Sequence, residues 1–207
     1  MEKFKLVTDI KHPVVECHQL NLPVEKDIDF QVADGYATKE GKHRYLHSRP
    51  VSDSTVKYFR DLFYYKVTPL LFSDPKIFHT WPVTPRTVLE QTEMVINIFK
   101  DEVGWDQGPH EDPKVFFCSG VIHLQDCEQG TTFDDSGIEP YTAPTKKGYG
   151  AFWLNSHHSK HCVPKVTKER MGYLIMVKWK CLEPFNFTGD NYGAGSTFEI
   201  NYDEFYK

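Results

Sequence analysis

Gly108-Pro109-His110-Glu111-Asp112-Pro113 stands immediately ahead of the apolar run Val115-Phe116-Phe117. On extended backbone, side chains two apart point the same way, so His110 and Asp112 converge while Glu111 faces off. One imidazole and one carboxylate at that spacing make half a site for a divalent metal ion. The missing ligand has to come from a distant segment, and His157, His158 and His161 lie about fifty residues on, within Asn155-Ser156-His157-His158-Ser159-Lys160-His161-Cys162. Two histidines and one carboxylate on one face leave about three coordination positions open, which suits a non-haem Fe(II) enzyme that must also hold a cosubstrate and dioxygen. Zinc more often recruits three histidines or cysteines and closes the shell. A closed zinc site of His157, His158 and His161, with Cys162 as fourth ligand, is therefore the competing metal reading.

Arg170 follows His161 by nine residues, placed to reach back from the next strand. A buried guanidinium there needs an anionic partner. The far carboxylate of a dicarboxylic acid, held on the metal by its other end, meets that need bidentately.

Four segments in this order carry a resemblance: His110-x-Asp112; Val121-Ile122-His123-Leu124-Gln125 with Gly130-Thr131-Thr132-Phe133; Pro144-Thr145-Lys146-Lys147-Gly148-Tyr149-Gly150-Ala151-Phe152-Trp153; and His161-x-Val163-x-x-Val166-Thr167-x-x-Arg170. Over residues 108–180 the chain resembles the 2-oxoglutarate and Fe(II)-dependent dioxygenases of the prolyl 4-hydroxylase type. The resemblance implies an α+β, mainly β fold, a double-stranded β-helix (jelly-roll) with supporting N-terminal helices. It implies His110, Asp112 and His161 as iron ligands, and Arg170, His123 and Thr132 as contacts of 2-oxoglutarate, with no catalytic side chain beyond the metal ligands. Implied cofactors are Fe(II), 2-oxoglutarate and O2, with ascorbate as an optional reductant. The implied reaction is oxidative decarboxylation of 2-oxoglutarate to succinate and CO2, coupled to hydroxylation of an unactivated C–H. Peptidyl proline is the first substrate by this analogy; free amino acids, other protein side chains and nucleobases are the alternatives, and a catalytically silent jelly-roll for binding or assembly is the alternative class.

The chain departs from the family pattern in several places. His123 stands where many members have a tyrosine that contacts 2-oxoglutarate. Gly130-Thr131-Thr132 keeps one glycine of the usual Gly-Gly-x-Thr turn. Trp179 follows Arg170 by nine residues instead of about six, which leaves Met176 at the expected place and calls for a bulge or a packing role for Trp179. His157 and His158 precede Lys168 by eleven and ten residues, a spacing found in members that use lysine for the cosubstrate. The Val163, Val166 and Thr167 pattern favours His161 with Arg170 and leaves His157 and His158 as rim residues.

The rest of the chain must position these groups. In 207 residues, hydrophobic residues reach 40%, aromatics 14% and charged residues 26%, which excludes disorder, collagen and coiled coil and gives a single domain a full core. Lys+Arg 24 against Asp+Glu 29 leaves −5, too mild for electrostatic binding of nucleic acid or anionic membrane. The expected partner is a peptide, protein or small-molecule substrate, met by a monomer or weak dimer. No apolar stretch approaches the roughly 18 residues of a membrane span, the first nine residues lack a secretory h-region, and Cys17, Cys118, Cys127, Cys162 and Cys181 show no Cys-x-x-Cys spacing, so a reducing cytoplasmic setting is expected. Of ten histidines, His12, His18, His43, His47 and His79 have no partner at ligand spacing and are assigned to structure or solvent.

Residues 1–104 read as N-terminal strands and supporting helices, 105–182 as the metal-binding jelly-roll core, and 183–207 as a loop or edge segment. Apolar residues from Val56 to Leu71 step by three and four, predicting a helix capped by Ser52, Asp53 or Ser54 and disturbed near Pro69. Thr84 as cap and Pro85 as first residue open a second helix whose stripe Val88, Leu89, Val95, Ile96 and Phe99 runs to Gly104. Val115–124, 149–154 and 172–179 read as strands. The pairs Asp101-Glu102 and Asp134-Asp135 read as helix-end and turn charges.

Overall fold

The computed structural model describes residues 1–180 apart from 39, 78–80, 82, 114, 135–138 and 157–158. His79, His157, His158, Cys181 and the expected edge segment 183–207 lie outside the described residues, and with them the zinc site that needs His157 and His158.

Twelve strands are described: β1 (Lys3–Val7), β2 (Val14–His18), β3 (Phe30–Val32), β4 (Arg44–His47), β5 (Thr92–Asp101), β6 (Gln107–His110), β7 (Phe116–His123), β8 (Thr132–Phe133), β9 (Tyr141–Thr142), β10 (Gly150–Leu154), β11 (His161–Val163) and β12 (Arg170–Trp179). They form an eight-stranded sheet in the order β1-β2-β10-β7-β12-β5-β4-β3 and a four-stranded sheet in the order β6-β11-β8-β9. From β5 onward the chain passes back and forth between the sheets. Strands β5, β7, β10 and β12 are neighbours in the larger sheet, and β6, β8, β9 and β11 make up the smaller, all pairings antiparallel. This is the winding of a double-stranded β-helix, the expected fold. No helix among the described residues is long and apolar enough to cross a membrane.

Period two decides what each face of the larger sheet buries. Ile96, Ile98, Ile122, Phe152, Tyr173 and Ile175 belong to the core under the helices, with Phe59, Phe63, Val67 and Leu71. Phe99, Val121, Ala151 and Trp153 face the other way and join Phe133 of the smaller sheet between the two layers. Where β10 begins its pairing with β7 the backbones are so close that a Cβ on Gly150 would sit 1.9 Å from the Val121 carbonyl oxygen, which is why glycine stands there.

Helix α1 (Asp53–Leu62) is capped by Ser52, whose side chain accepts from the Thr55 N–H. It continues as a π-helical turn, Phe63–Val67, and as α2 (Thr68–Leu71). Pro69 has no N–H for an ordinary helical ladder, and just before it the ladder widens, the Thr68 N–H reaching the Phe63 carbonyl.

The second helix is shorter than its apolar stripe predicted. Thr84 caps it and Pro85 opens it, yet α3 (Pro85–Gln91) ends before β5 begins at Thr92. Ile96 and Phe99, which a helix would put on one face, lie on opposite faces of the strand, in different cores. Thr92, Val95, Ile96 and Ile98 are β-branched, and β12 pairs with all ten residues of β5, so ladder hydrogen bonds and burial on both faces outweigh the helical spacing. The first strand of the β-helix thus comes from sequence that reads as helix. Strand β12 keeps unbroken pairing with β5 from Arg170 to Trp179, so no bulge intervenes between them, and the slip against β7 at Val177/Lys178 adds its extra residue on β7. Trp179 faces the helix-side core with Tyr173, Ile175 and Val177 and packs its ring against Trp81 and Phe117, the packing role that was the other expectation.

Candidate metal centre and buried arginine pair

Strand β11 lays His161 directly opposite His110 of β6, and their ring centroids are 4.3 Å apart. Asp112, just past the end of β6, closes the group. Its Oδ1 is 3.9 Å from His110 Nε2 and its Oδ2 3.8 Å from His161 Nε2, and one ligand atom from each residue lies within 4.8 Å of the others. Glu111, between them, is exposed, as period two requires. These three are the residues the sequence singled out as ligands, brought together from segments about fifty residues apart.

Backbone carbonyls orient both imidazoles. His110 Nδ1 donates to the Gly108 carbonyl at 3.0 Å and His161 Nδ1 to the Ser159 carbonyl at 2.8 Å. A carbonyl only accepts, so each Nδ1 carries a hydrogen, and the nitrogen left to face Asp112, and to serve a metal ion, is Nε2 in both rings. His161 is 5% exposed, and burial lowers its pKa despite the nearby Asp112 charge. The side chains of His110 and Asp112 are 29% and 21% exposed, so the open side of the group faces solvent. The rings of Phe133 and Trp153 flank His161 on the inner side.

Trp153 was not anticipated as part of the site. Its Nε1–H donates to Asp112 Oδ2 at 3.3 Å, from the strand that also supplies its ring to the inner core. That contact turns one carboxylate oxygen away from free rotation. Trp153→Phe keeps the ring and deletes the donor; anaerobic Fe(II) titration should show affinity about tenfold weaker, the low end of what loss of an outer partner costs.

Behind this group lies a buried cluster of charge. Arg170, the first residue of β12, is opposite Asp101, the last of β5, and Arg44 of β4 meets the same Asp101 from the other side. All three are at most 5% exposed. Asp101 takes two parallel bonds from Arg44, Nε to Oδ1 at 2.7 Å and Nη2 to Oδ2 at 3.0 Å, and one from Arg170 Nη1 to Oδ2 at 2.9 Å. Both guanidiniums stand over the Phe99 ring, at 4.8 and 5.1 Å, and Arg44 also over Trp105 at 4.3 Å. Arg170 Nε and Nη2 are buried with no hydrogen bond of ordinary geometry among the described residues, and the Cys127 thiol is the other polar group close to this guanidinium. Burial pulls both arginines' pKa values down. Asp101 more than offsets this for Arg44, which ends above its ordinary value, but not for Arg170, which ends below it. Two cations with one anion leave the cluster one positive charge in excess.

Asp101 corrects the sequence reading, which took it for a helix-end charge. It is fully buried, because β5 is a strand and Asp101 follows Phe99 on its inner face. Arg44 was missed altogether.

His123 ends β7 on the same inner face as Val121, its Nδ1 3.4 Å from Cys127 Sγ. Burial and the Arg170 charge push its imidazole down to about 3. An unfolded imidazole protonates near about 6.5. Folding is therefore unpenalised by this group above pH about 6.5, and stability is lost as pH falls from there toward about 3, by up to about 1.4 kcal/mol per unit. Denaturant melts of His123→Asn should be flatter than wild type between pH about 6.5 and about 4.5; equal slopes would mean the ring protonates in the folded protein.

Thr132 is not brought to this interior. Its β8 neighbour Phe133 faces His161, so Thr132 faces the other way, its hydroxyl 3.0 Å from that of Thr142. Cys17, Cys118, Cys127 and Cys162 carry free thiols, the first three buried.

No family model matches the chain, and no curated protein matches it. Solved structures do. A Pseudomonas putida prolyl-4-hydroxylase is 10% identical, with 73% of this chain covering 78% of that one at a TM-score of 0.50. An oxidoreductase of the 2OG-Fe(II) oxygenase family from Burkholderia pseudomallei is 14% identical over 74% of this chain and 73% of that one, TM-score 0.44. A truncated viral collagen prolyl hydroxylase from Paramecium Bursaria Chlorella virus-1 is 14% identical over 78% of this chain and 97% of that one, TM-score 0.44. At these identities the likeness is one of fold, and the fold it supports is the double-stranded β-helix.

Proposed function

We propose that this chain is an Fe(II)- and 2-oxoglutarate-dependent dioxygenase that hydroxylates an unactivated C–H. The observation that carries the reading is the His110, Asp112 and His161 group, with both Nε2 atoms presented beside one carboxylate and the outer side open. Two imidazoles, one carboxylate and free positions suit Fe(II) with a chelating cosubstrate. The unfilled Nε and Nη2 of Arg170 supply a receptor for the distal carboxylate of 2-oxoglutarate, with His123 on the neighbouring strand. Bound iron would supply the oxidation, with O2 and 2-oxoglutarate giving succinate, CO2 and a hydroxyl on the substrate. The chain's own residues hold three ligands on one face, fix Asp112 through Trp153, shield His161 with Phe133 and Trp153, and anchor the far end of the cosubstrate.

Peptidyl proline is the first substrate to test, by likeness to the Pseudomonas putida enzyme; free amino acids and nucleobases follow. Anaerobic titration of Fe(II)-loaded protein with 2-oxoglutarate should develop the weak visible charge-transfer band of the chelate. Succinate formation against a peptide and metabolite panel would then name the substrate. Absence of the band in the wild type would defeat the reading and favour a silent jelly-roll.

A further inference from the structure

We infer that Arg44 is a positioning residue that keeps the anion-binding edge of Arg170 open by occupying Asp101. This deepens the cosubstrate role assigned to Arg170 and rests on it.

A guanidinium offers a carboxylate two parallel donors along its Nε and Nη2 edge. The structure contains a worked instance, since Arg44 grips Asp101 by that edge. Arg170 gives Asp101 only the single Nη1 donor, and its own Nε and Nη2 edge is buried and unfilled. The division is forced by geometry and charge. Asp101 sits across from both arginines at the ends of three adjacent strands; the Arg44 edge takes both of its oxygens, and Arg170 shares only Oδ2, through Nη1. Without Arg44, Asp101 is a buried carboxylate with one partner left, and the favoured pairing is bidentate, on the Arg170 edge that a ligand would need. The cluster would then be neutral, and Asp101 would compete with any incoming carboxylate. Arg44 therefore acts twice, by holding Asp101 away and by keeping one positive charge in excess in the cluster.

Glutarate tests this without metal, because it has the distal carboxylate but no 2-oxo group to chelate iron. Saturation-transfer NMR on metal-free protein should detect glutarate with the wild type. Arg44→Met should weaken it at least tenfold, and Arg44→Met with Asp101→Asn, which removes the competing carboxylate, should return to within about threefold of wild type. A purely structural role for Arg44 leaves the double variant no better than the single one, and that result overturns the inference. So does glutarate affinity in folded Arg44→Met within twofold of wild type, or no glutarate binding by wild type. Should Arg44→Met fail to fold, Arg44→Lys and Arg44→Lys with Asp101→Asn carry the same comparison, since lysine keeps the charge and loses the two-donor edge. Anaerobic Fe(II) affinity, measured on the same proteins, should be unchanged throughout. Wild type that binds glutarate but no Fe(II) would remove the dioxygenase reading and leave the role of Arg44 standing.

Discussion

Asp112→Ala should abolish stable Fe(II) binding. Asp112 is the anionic member of the group, and its two oxygens face the two imidazole Nε2 atoms at 3.9 and 3.8 Å. Without it, two neutral imidazoles remain, a pair that holds divalent iron poorly against water. Loss of an outer partner alone costs 10–100-fold in metal affinity, so loss of the carboxylate ligand should exceed about 100-fold. The fold should tolerate the change. Asp112 is 21% exposed, and truncation strands one Trp153 Nε1–H at 3.3 Å, which water from the open side can reach. Anaerobic Fe(II) titration with a thermal melt as control checks this. Equal Fe(II) affinity in a folded Asp112→Ala would place the metal elsewhere.

Local spacing made the ligands legible and long-range pairing hid their supports. His110 and Asp112 are two residues apart on extended chain, so their convergence needs no knowledge of the fold. His161 and Arg170 could be placed because the segments between them occur in a recognisable order. Arg44 could not be, since it meets Asp101 across 57 residues of separation, through the pairing of β4 with β5. That pairing was hidden in turn by a helical stripe over a segment where Ile96 and Phe99 serve different cores. Alternation through Ile96, Ile98 and the opposing Phe99 and Asp101 was the available signal, and the Thr84-Pro85 helix start masked it. Thr132 shows the converse error. A turn motif places a residue near a site, but the direction of its side chain follows from strand register, which the motif does not contain.

Arg170→Met should separate binding from stability. For a cosubstrate, Arg170 is a buried two-donor receptor, and removing one partner of a desolvated charge pair costs about 2 kcal/mol or more, so 2-oxoglutarate affinity should fall at least about 30-fold. Iron should stay, because none of the three ligands touches Arg170 by a hydrogen bond or ion pair among those described. Stability moves the other way. Breaking a buried pair is usually costly because one charge is left alone. Here Asp101 keeps both bonds from Arg44, and what leaves is the excess positive charge with its two unfilled donors. Methionine fills similar space against Phe99 without a desolvation penalty. The thermal midpoint of metal-free Arg170→Met should therefore equal or exceed that of wild type, the pattern of a residue kept for ligand at the expense of fold. A clear drop in midpoint would mean that Arg170 is instead a structural tie between β12 and β5, already satisfied by Asp101, and the carboxylate receptor would have to be sought in another side chain of the barrel interior.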